Sequence, residues 1–194
     1  MIVYIHGFNS SPSSHKAAQL RIRLASLGRE NEFACPALPY SPDEAIALLE
    51  QVVADLPAEQ VTLVGSSLGG FYATHLAERF GLRAVLVNPA LTPHAGLRSY
   101  LGPQRNLYTG EEYILTEAHL AALAALHVRK PSGMHRYLLM HTTGDELLDW
   151  RLAVDHYSGS RQILVQGSDH GFAQFGDYVD IVLAFAARPD RGSD

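Results

Sequence analysis

Short, uninterrupted apolar runs alternate along the chain with longer stretches in which apolar residues return every three or four positions. Residues 2–5, 61–64, 84–87, 137–140 and 163–165 are such runs. Continuous hydrophobicity is what strands buried on both faces of a parallel sheet require. A weaker run at 33–35 predicts a sixth strand. Between the runs, Ala17, Leu20, Leu24 and Leu27 recur at helical spacing, with Gly28 placed to stop the helix. Ser41, Pro42 and Glu44 open a second helix as N-cap, first-turn proline and capping-box partner. Ile46, Leu49, Val53 and Leu56 make its apolar face, and Pro57 ends it. A third helix is predicted over 67–80 with Gly81 as its stop, another from Asp149, and a last one carrying Tyr178, Ile181, Val182 and Phe185.

Alternating strands and helices imply right-handed crossovers, so the fold class is α/β: a mostly parallel six-stranded sheet with helices on both faces. Residues 91–131 break the rhythm, being rich in Pro, Gly and Tyr with one helical stretch at 116–126. A departure this long between two strands is more often functional than passive. It reads as a short insertion over one end of the sheet, within a single domain spanning 1–187. Residues 188–194 read as a polar, disordered tail.

Length and composition agree. A chain of 194 residues, 47% hydrophobic, hides roughly 70% of its unfolded surface and needs neither disulfides nor a structural metal to stand. Fifteen basic and twenty acidic residues give a net charge of −5, which argues against a dedicated nucleic-acid surface. The single cysteine, Cys35, excludes an internal disulfide and a CxxC site. The first apolar run stops at His6-Gly7 with no basic leader, and no stretch reads as a membrane span. The default location is therefore the cytoplasm.

Candidate chemistry centres on Gly65-Ser66-Ser67-Leu68-Gly69, a G-x-S-x-G pattern. It follows an apolar strand directly and opens a helix, the context in which such a serine sits on a sharp, exposed turn. Gly65 and Gly69 supply the clearance that turn needs. A serine hydroxyl needs a base, and the base an orienting acid. Of ten histidines, His170 lies in a glycine-flanked loop just past the last strand, where it can reach Ser67. His141, at the end of the fifth strand, is its rival. His75 lies two turns down the same helix as Ser67, and His15, His119, His127 and His156 fall in helical segments. Asp145, in the short loop after the fifth strand, leads as the acid. Asp149 comes second and reads better as an N-cap. Two fixed N–H donors must hold an oxyanion. Leu68, after the nucleophile, offers one. Phe8 offers the other, because Gly7 lets the backbone turn close to the serine, unless His6-Gly7 is only a strand-ending turn.

Ser67, Asp145 and His170 stand in the chain order of α/β-hydrolases. His6-Gly7-Phe8-Asn9-Ser10-Ser11-Pro12, Val64 to Gly70, Val87-Asn88-Pro89-Ala90, Tyr108-Thr109-Gly110 and Thr143-Gly144-Asp145-Glu146, with His170 and Phe172, resemble the α/β-hydrolase superfamily. More closely, they resemble the small bacterial YqiA-type esterases. The resemblance implies a minimal α/β-hydrolase lacking the first two strands of the larger fold, with Ser67, Asp145 and His170 as triad. It further implies a serine esterase acting on small acyl esters or thioesters.

No H-E-x-x-H, P-loop or dinucleotide G-x-G-x-x-G occurs, so no metal and no cofactor is expected, and the partner is a small acyl substrate. Asn88, Pro89, Tyr100, Tyr108 and Tyr113 line a pocket or pack beneath the insertion; the sequence leaves both open. Two alternatives share the fold: a catalytically silent binding module, and a peptidase or acyltransferase using the same triad.

Overall fold

In a computed structural model that describes residues 1–54 and 56–187, the chain begins with strand β1 (Ile2–Ile5), helix α1 (His15–Ser26), β2 (Phe33–Ala34) and α2 (Pro42–Ala54). It continues through β3 (Thr62–Ser66), α3 (Leu68–Phe80), β4 (Arg83–Val87), α4 (Pro93–Gly96), β5 (Gly102–Arg105), β6 (Glu112–Leu115) and α5 (Glu117–Ala125). It closes with β7 (Tyr137–Thr142), α6 (Trp150–His156), β8 (Arg161–Val165) and α7 (Val179–Ala186). Six strands form one sheet in the order β2-β1-β3-β4-β7-β8, and each neighbouring pair is parallel. The tail expected to be disordered, 188–194, lies outside the described residues.

The apolar runs form strands because both of their faces are covered. Val3, Ile5, Leu63, Leu86 and Leu139 point to one face and pack under α2, α3 and α5. Their neighbours Tyr4, Val64, Val87, Leu138 and Met140 point to the other, under α1 and α7. Each fully buried aliphatic side chain there contributes roughly 1.5–3 kcal/mol. Gly28 and Gly81 follow α1 and α3 with φ of +69° each, a conformation glycine takes without strain. Leu27 departs from expectation: α1 stops at Ser26, and this residue sits at the C-cap, 44% exposed.

Residues 91–131 hold more structure than their sequence suggests. Besides α5 they form α4 and an antiparallel hairpin, β5 with β6, paired Gly102 to Leu115 through Arg105 to Glu112. His127 lies beyond the end of α5 rather than within a helix.

Candidate active site

Every loop that carries a candidate residue leaves the C-terminal end of a parallel strand, so the loops meet along one rim of the sheet. Ser67 follows β3 with φ +55° and ψ −120°, a region that non-glycine residues occupy only when their surroundings dictate it. Its amide donates to the Val87 carbonyl, and its own carbonyl accepts from the amides of Gly70 and Ala90. The glycines around it are sterically required. A methyl on Gly69 would fall on the Ile5 carbonyl, and one on Gly65 on the Gly69 carbonyl. One on Gly7 would press on the Ser66 carbonyl and the Ser67 Cβ, 3.2 Å from each.

His170 Nε2 lies 3.0 Å from Ser67 Oγ, and its Nδ1 lies 2.8 Å from Asp145 Oδ2. With Nδ1–H donating a hydrogen bond to the carboxylate, Nε2 is left to accept from the serine hydroxyl. Asp145 Oδ1 is occupied by the amides of Leu147 and Leu148, both at 2.9 Å. Burial works against ionisation of Asp145, but the bond to His170, the nearby imidazole charge and those two amides outweigh it and hold the carboxyl below the usual aspartate range. Asp149 caps α6 through the Arg151 amide. His141 is wholly buried, and its ring bonds the Thr142 carbonyl rather than Ser67. His75 bonds the Leu126 carbonyl, tying α3 to the end of α5. Among the described residues, the Phe8 and Leu68 amides donate no hydrogen bond, and Leu68 opens α3, where the first amides have no helical partner.

Sequence reasoning missed how the His170 loop is held. Asn88, buried with φ +43°, donates through Nδ2 to the His170 carbonyl at 3.0 Å and to Thr142 Oγ1 at 3.1 Å. Its Oδ1 accepts from the Thr142 amide at 2.9 Å. Thr142 Oγ1 in turn donates to the Asp169 carbonyl at 2.9 Å. Glu146 accepts from the His170 amide at 3.0 Å, and Lys16 Nζ donates to the Gly171 carbonyl at 2.6 Å. An amide side chain at the very end of a two-faced buried strand, as in Val87-Asn88-Pro89, was the available signal, because no water reaches it and the protein must satisfy it. His6 is likewise buried. Its Nδ1 pairs with the Gly7 carbonyl and its Nε2 accepts from the Leu38 amide, so the ring is neutral, and burial holds its pKa below the usual histidine value despite the Gly7 bond.

Beside Ser67 and His170 opens a cavity of about 360 Å³, walled by Phe8, Leu91, Leu97, Tyr100, Leu148 and Leu152. That lies within the range of small-molecule sites. Pro89 and Tyr100 line it, while Asn88 turns into the scaffold and Tyr113 into a separate crevice. Residues 91–131 thus supply part of the cavity wall. Among the described residues, no group of three or more His, Cys, Asp or Glu is arranged to hold a metal, and no helix is long and apolar enough to cross a membrane.

The family described as "Uncharacterised protein family (UPF0227)" matches residues 1–187. A UPF0227 protein of Serratia proteamaculans is 24% identical over 196 residues, covering 97% of this chain and all of its own. One of Yersinia pseudotuberculosis is 25% identical over 190 residues, covering 95% and 98%. Among solved structures, alpha/beta hydrolase domain-containing protein 10 from mouse superposes with a TM-score of 0.70 at 15% identity, covering 94% of this chain and 87% of that one. Est1E from Butyrivibrio proteoclasticus gives 0.69 at 15%, covering 96% and 88%. An esterase domain from Rhodothermus marinus gives 0.64 at 17%, covering 95% and 85%. The fold is that of the α/β-hydrolases.

Proposed function

The chain belongs to the UPF0227 family, and from the geometry of its rim we propose that it is a serine esterase, cleaving small acyl esters or thioesters through an acyl-enzyme. The observation that carries the reading is the unbroken relay from Asp145 Oδ2 to His170 Nδ1 at 2.8 Å and from His170 Nε2 to Ser67 Oγ at 3.0 Å. A hydroxyl so placed can lose its proton to the imidazole as it attacks, with the carboxylate holding the useful tautomer.

In the first half-reaction Ser67 Oγ bonds to the acyl carbon and its proton passes to His170. The carbonyl oxygen becomes an oxyanion, which the free amides of Phe8 and Leu68 stabilise. His170 then returns the proton to the leaving alcohol or thiol, whose bond to the acyl carbon breaks. Water then gives a proton to His170 as the water oxygen bonds to the acyl carbon; the Ser67 Oγ–acyl bond breaks, the proton returns from His170 to Ser67 Oγ, and the acid leaves. The apolar cavity beside Ser67 suits the acyl portion, and the esterase neighbours share this scaffold. A silent binding module would have no use for a strained serine, an imidazole paired to both it and a carboxylate, and two unpartnered amides in residues lining the same cavity. The same relay could serve peptide cleavage or acyl transfer; the largely apolar wall favours acyl esters.

Ser67→Ala should lower the rate on short p-nitrophenyl acyl esters by roughly 10⁴-fold or more while the protein stays folded. Labelling of the wild type, but not the variant, by a fluorophosphonate tests the activated serine directly. Wild-type turnover by Ser67→Ala would end this reading.

A further inference from the structure

Residues 8–10, which carry the Phe8 amide, are gripped by side chains from about a hundred positions away. Tyr113 Oη, on β6, donates to Asn9 Oδ1 at 2.7 Å. Asn9 Nδ2 donates to Gln104 Oε1, on β5, at 3.4 Å. Asn106 Nδ2, at the hairpin turn, donates to the Ser10 carbonyl at 2.9 Å. The Phe8 ring meets Tyr100 edge-on, with 5.9 Å between ring centres.

The backbone gives these bonds a purpose. Asn9 has φ +50°, a left-handed conformation disfavoured for any residue with a side chain and kept only where the surroundings impose it. Pinning the chain at that turn limits how far the adjoining Phe8 backbone can swing. The shorter-bonded partner of Asn9 is well packed: Tyr113 is 9% exposed, and its ring stacks on Tyr40 with centres 4.5 Å apart. Burial, and then the charge of Glu111, push the Tyr113 hydroxyl up to about 12, so it remains a donor at any working pH. The crevice behind the loop is about 40 Å³, room for a few waters and no acyl group, so these side chains do not face a ligand there.

We infer that the hairpin β5–β6 braces the oxyanion loop, with Tyr113 and Asn9 as positioning residues that aim the Phe8 amide at the reacting carbonyl oxygen. This rests on the esterase reading above. A brace of this kind matters only once negative charge develops on that oxygen, so its loss falls on turnover and leaves ground-state binding alone.

The test measures Tyr113→Phe, Asn9→Gly and the exposed-neighbour control Ile114→Ala beside Ser67→Ala, on p-nitrophenyl butyrate and with an aryl trifluoromethyl ketone. The ketone accepts Ser67 Oγ at its carbonyl carbon, the serine proton moves to His170, and the carbonyl oxygen becomes an oxyanion with nothing expelled. Tyr113→Phe keeps the ring and its stacking, and Asn9→Gly keeps the left-handed turn. Each should lower kcat about tenfold, a fraction of the 10²–10³-fold lost with an oxyanion donor. KM should stay within about twofold, and ketone affinity should weaken in parallel with kcat. Ile114→Ala should match wild type. If Ser67→Ala is inactive while both brace variants retain wild-type kcat and ketone affinity, the brace is refuted and the esterase reading stands. A fall in kcat with unchanged ketone affinity also refutes it. If Ser67→Ala turns over like wild type, both fall.

Discussion

Replacing Asn88 by alanine isolates the latch that keeps the imidazole in place. The substitution strips the side-chain hydrogen bonds of a fully buried position, the shortest of them to the His170 carbonyl, to Thr142 Oγ1 and from the Thr142 amide. Two of the groups left behind are the Thr142 amide, on a fully buried residue, and the carbonyl of the half-buried His170. Each buried orphan costs roughly 1–3 kcal/mol. A total near 3 kcal/mol is therefore expected, and at roughly 2–4 °C per kcal/mol for a chain of this size the melting temperature should fall by about 6–12 °C. Asn88→Gly accepts the +43° φ without a side-chain penalty, so it should melt above Asn88→Ala by the strain alone, about 1 kcal/mol. The kinetic effect should exceed what instability explains. This side chain is one of the ties on the His170 loop, and a drift of about 1 Å between His170 Nε2 and Ser67 Oγ can cost on the order of 10²-fold. We expect kcat on p-nitrophenyl butyrate to drop between roughly tenfold and a hundredfold, measured well below the melting temperature. If Asn88→Ala lowered the melting temperature but kept wild-type kcat, the amide would be plain scaffold and the latch argument would be wrong.

Other outcomes are accessible to the same assays. Gly69→Ala should leave little folded or active protein, because its methyl would fall on the Ile5 and His6 backbone; a well-folded, active variant would contradict the required close approach. Gly96→Leu should fold normally, since Gly96 has φ −64° and a Cβ there meets nothing within 4 Å, but it borders the cavity and should lower kcat/KM for octanoyl more than for acetyl esters, as seen in an acyl-length series. Stability should decline below neutrality. Burial lowers the pKa of His6 and of His141, with only partial offset from their carbonyl bonds, so the unfolded chain binds protons first and each ring removes up to about 1.4 kcal/mol per pH unit as pH falls below about 6.5. Urea titrations at pH 7.5 and 5.5 would read this, and His6→Asn should flatten the slope; a slope unchanged by that substitution would refute it.

Much of this was legible in the sequence because buried parallel strands carry a strong, local signature. The six strands announced themselves as apolar runs, and Ser67, Asp145 and His170 each stand just beyond one. Asp149 was separable from Asp145 because an aspartate two positions before an arginine amide at a helix start has a structural use. The hairpin was not legible. Its first strand reads Gly-Pro-Gln-Arg, poor in β-formers, and its second shows alternation over only four residues, with Tyr113 and Leu115 inward. The latch and the brace were invisible for a different reason: they join Asn88 to His170 and Tyr113 to Asn9, pairs 82 and 104 positions apart, and nothing in a single chain's pattern couples such distant polar residues. Nor does sequence announce a positive φ at asparagine, which three-dimensional context imposes at Asn9 and Asn88.

The imidazole hangs from β8, which borders the sheet with a neighbour on one side only, and much of that strand is open to solvent. Segments with few buried apolar contacts open locally at less cost than core strands. A partial opening of that margin would carry off the proposed base, His170, and leave the strand before Ser67, deep in the middle, untouched. Heat or mild denaturant should therefore silence the chemistry while most of the molecule is still folded, and cooling should bring it back without a full refolding cycle.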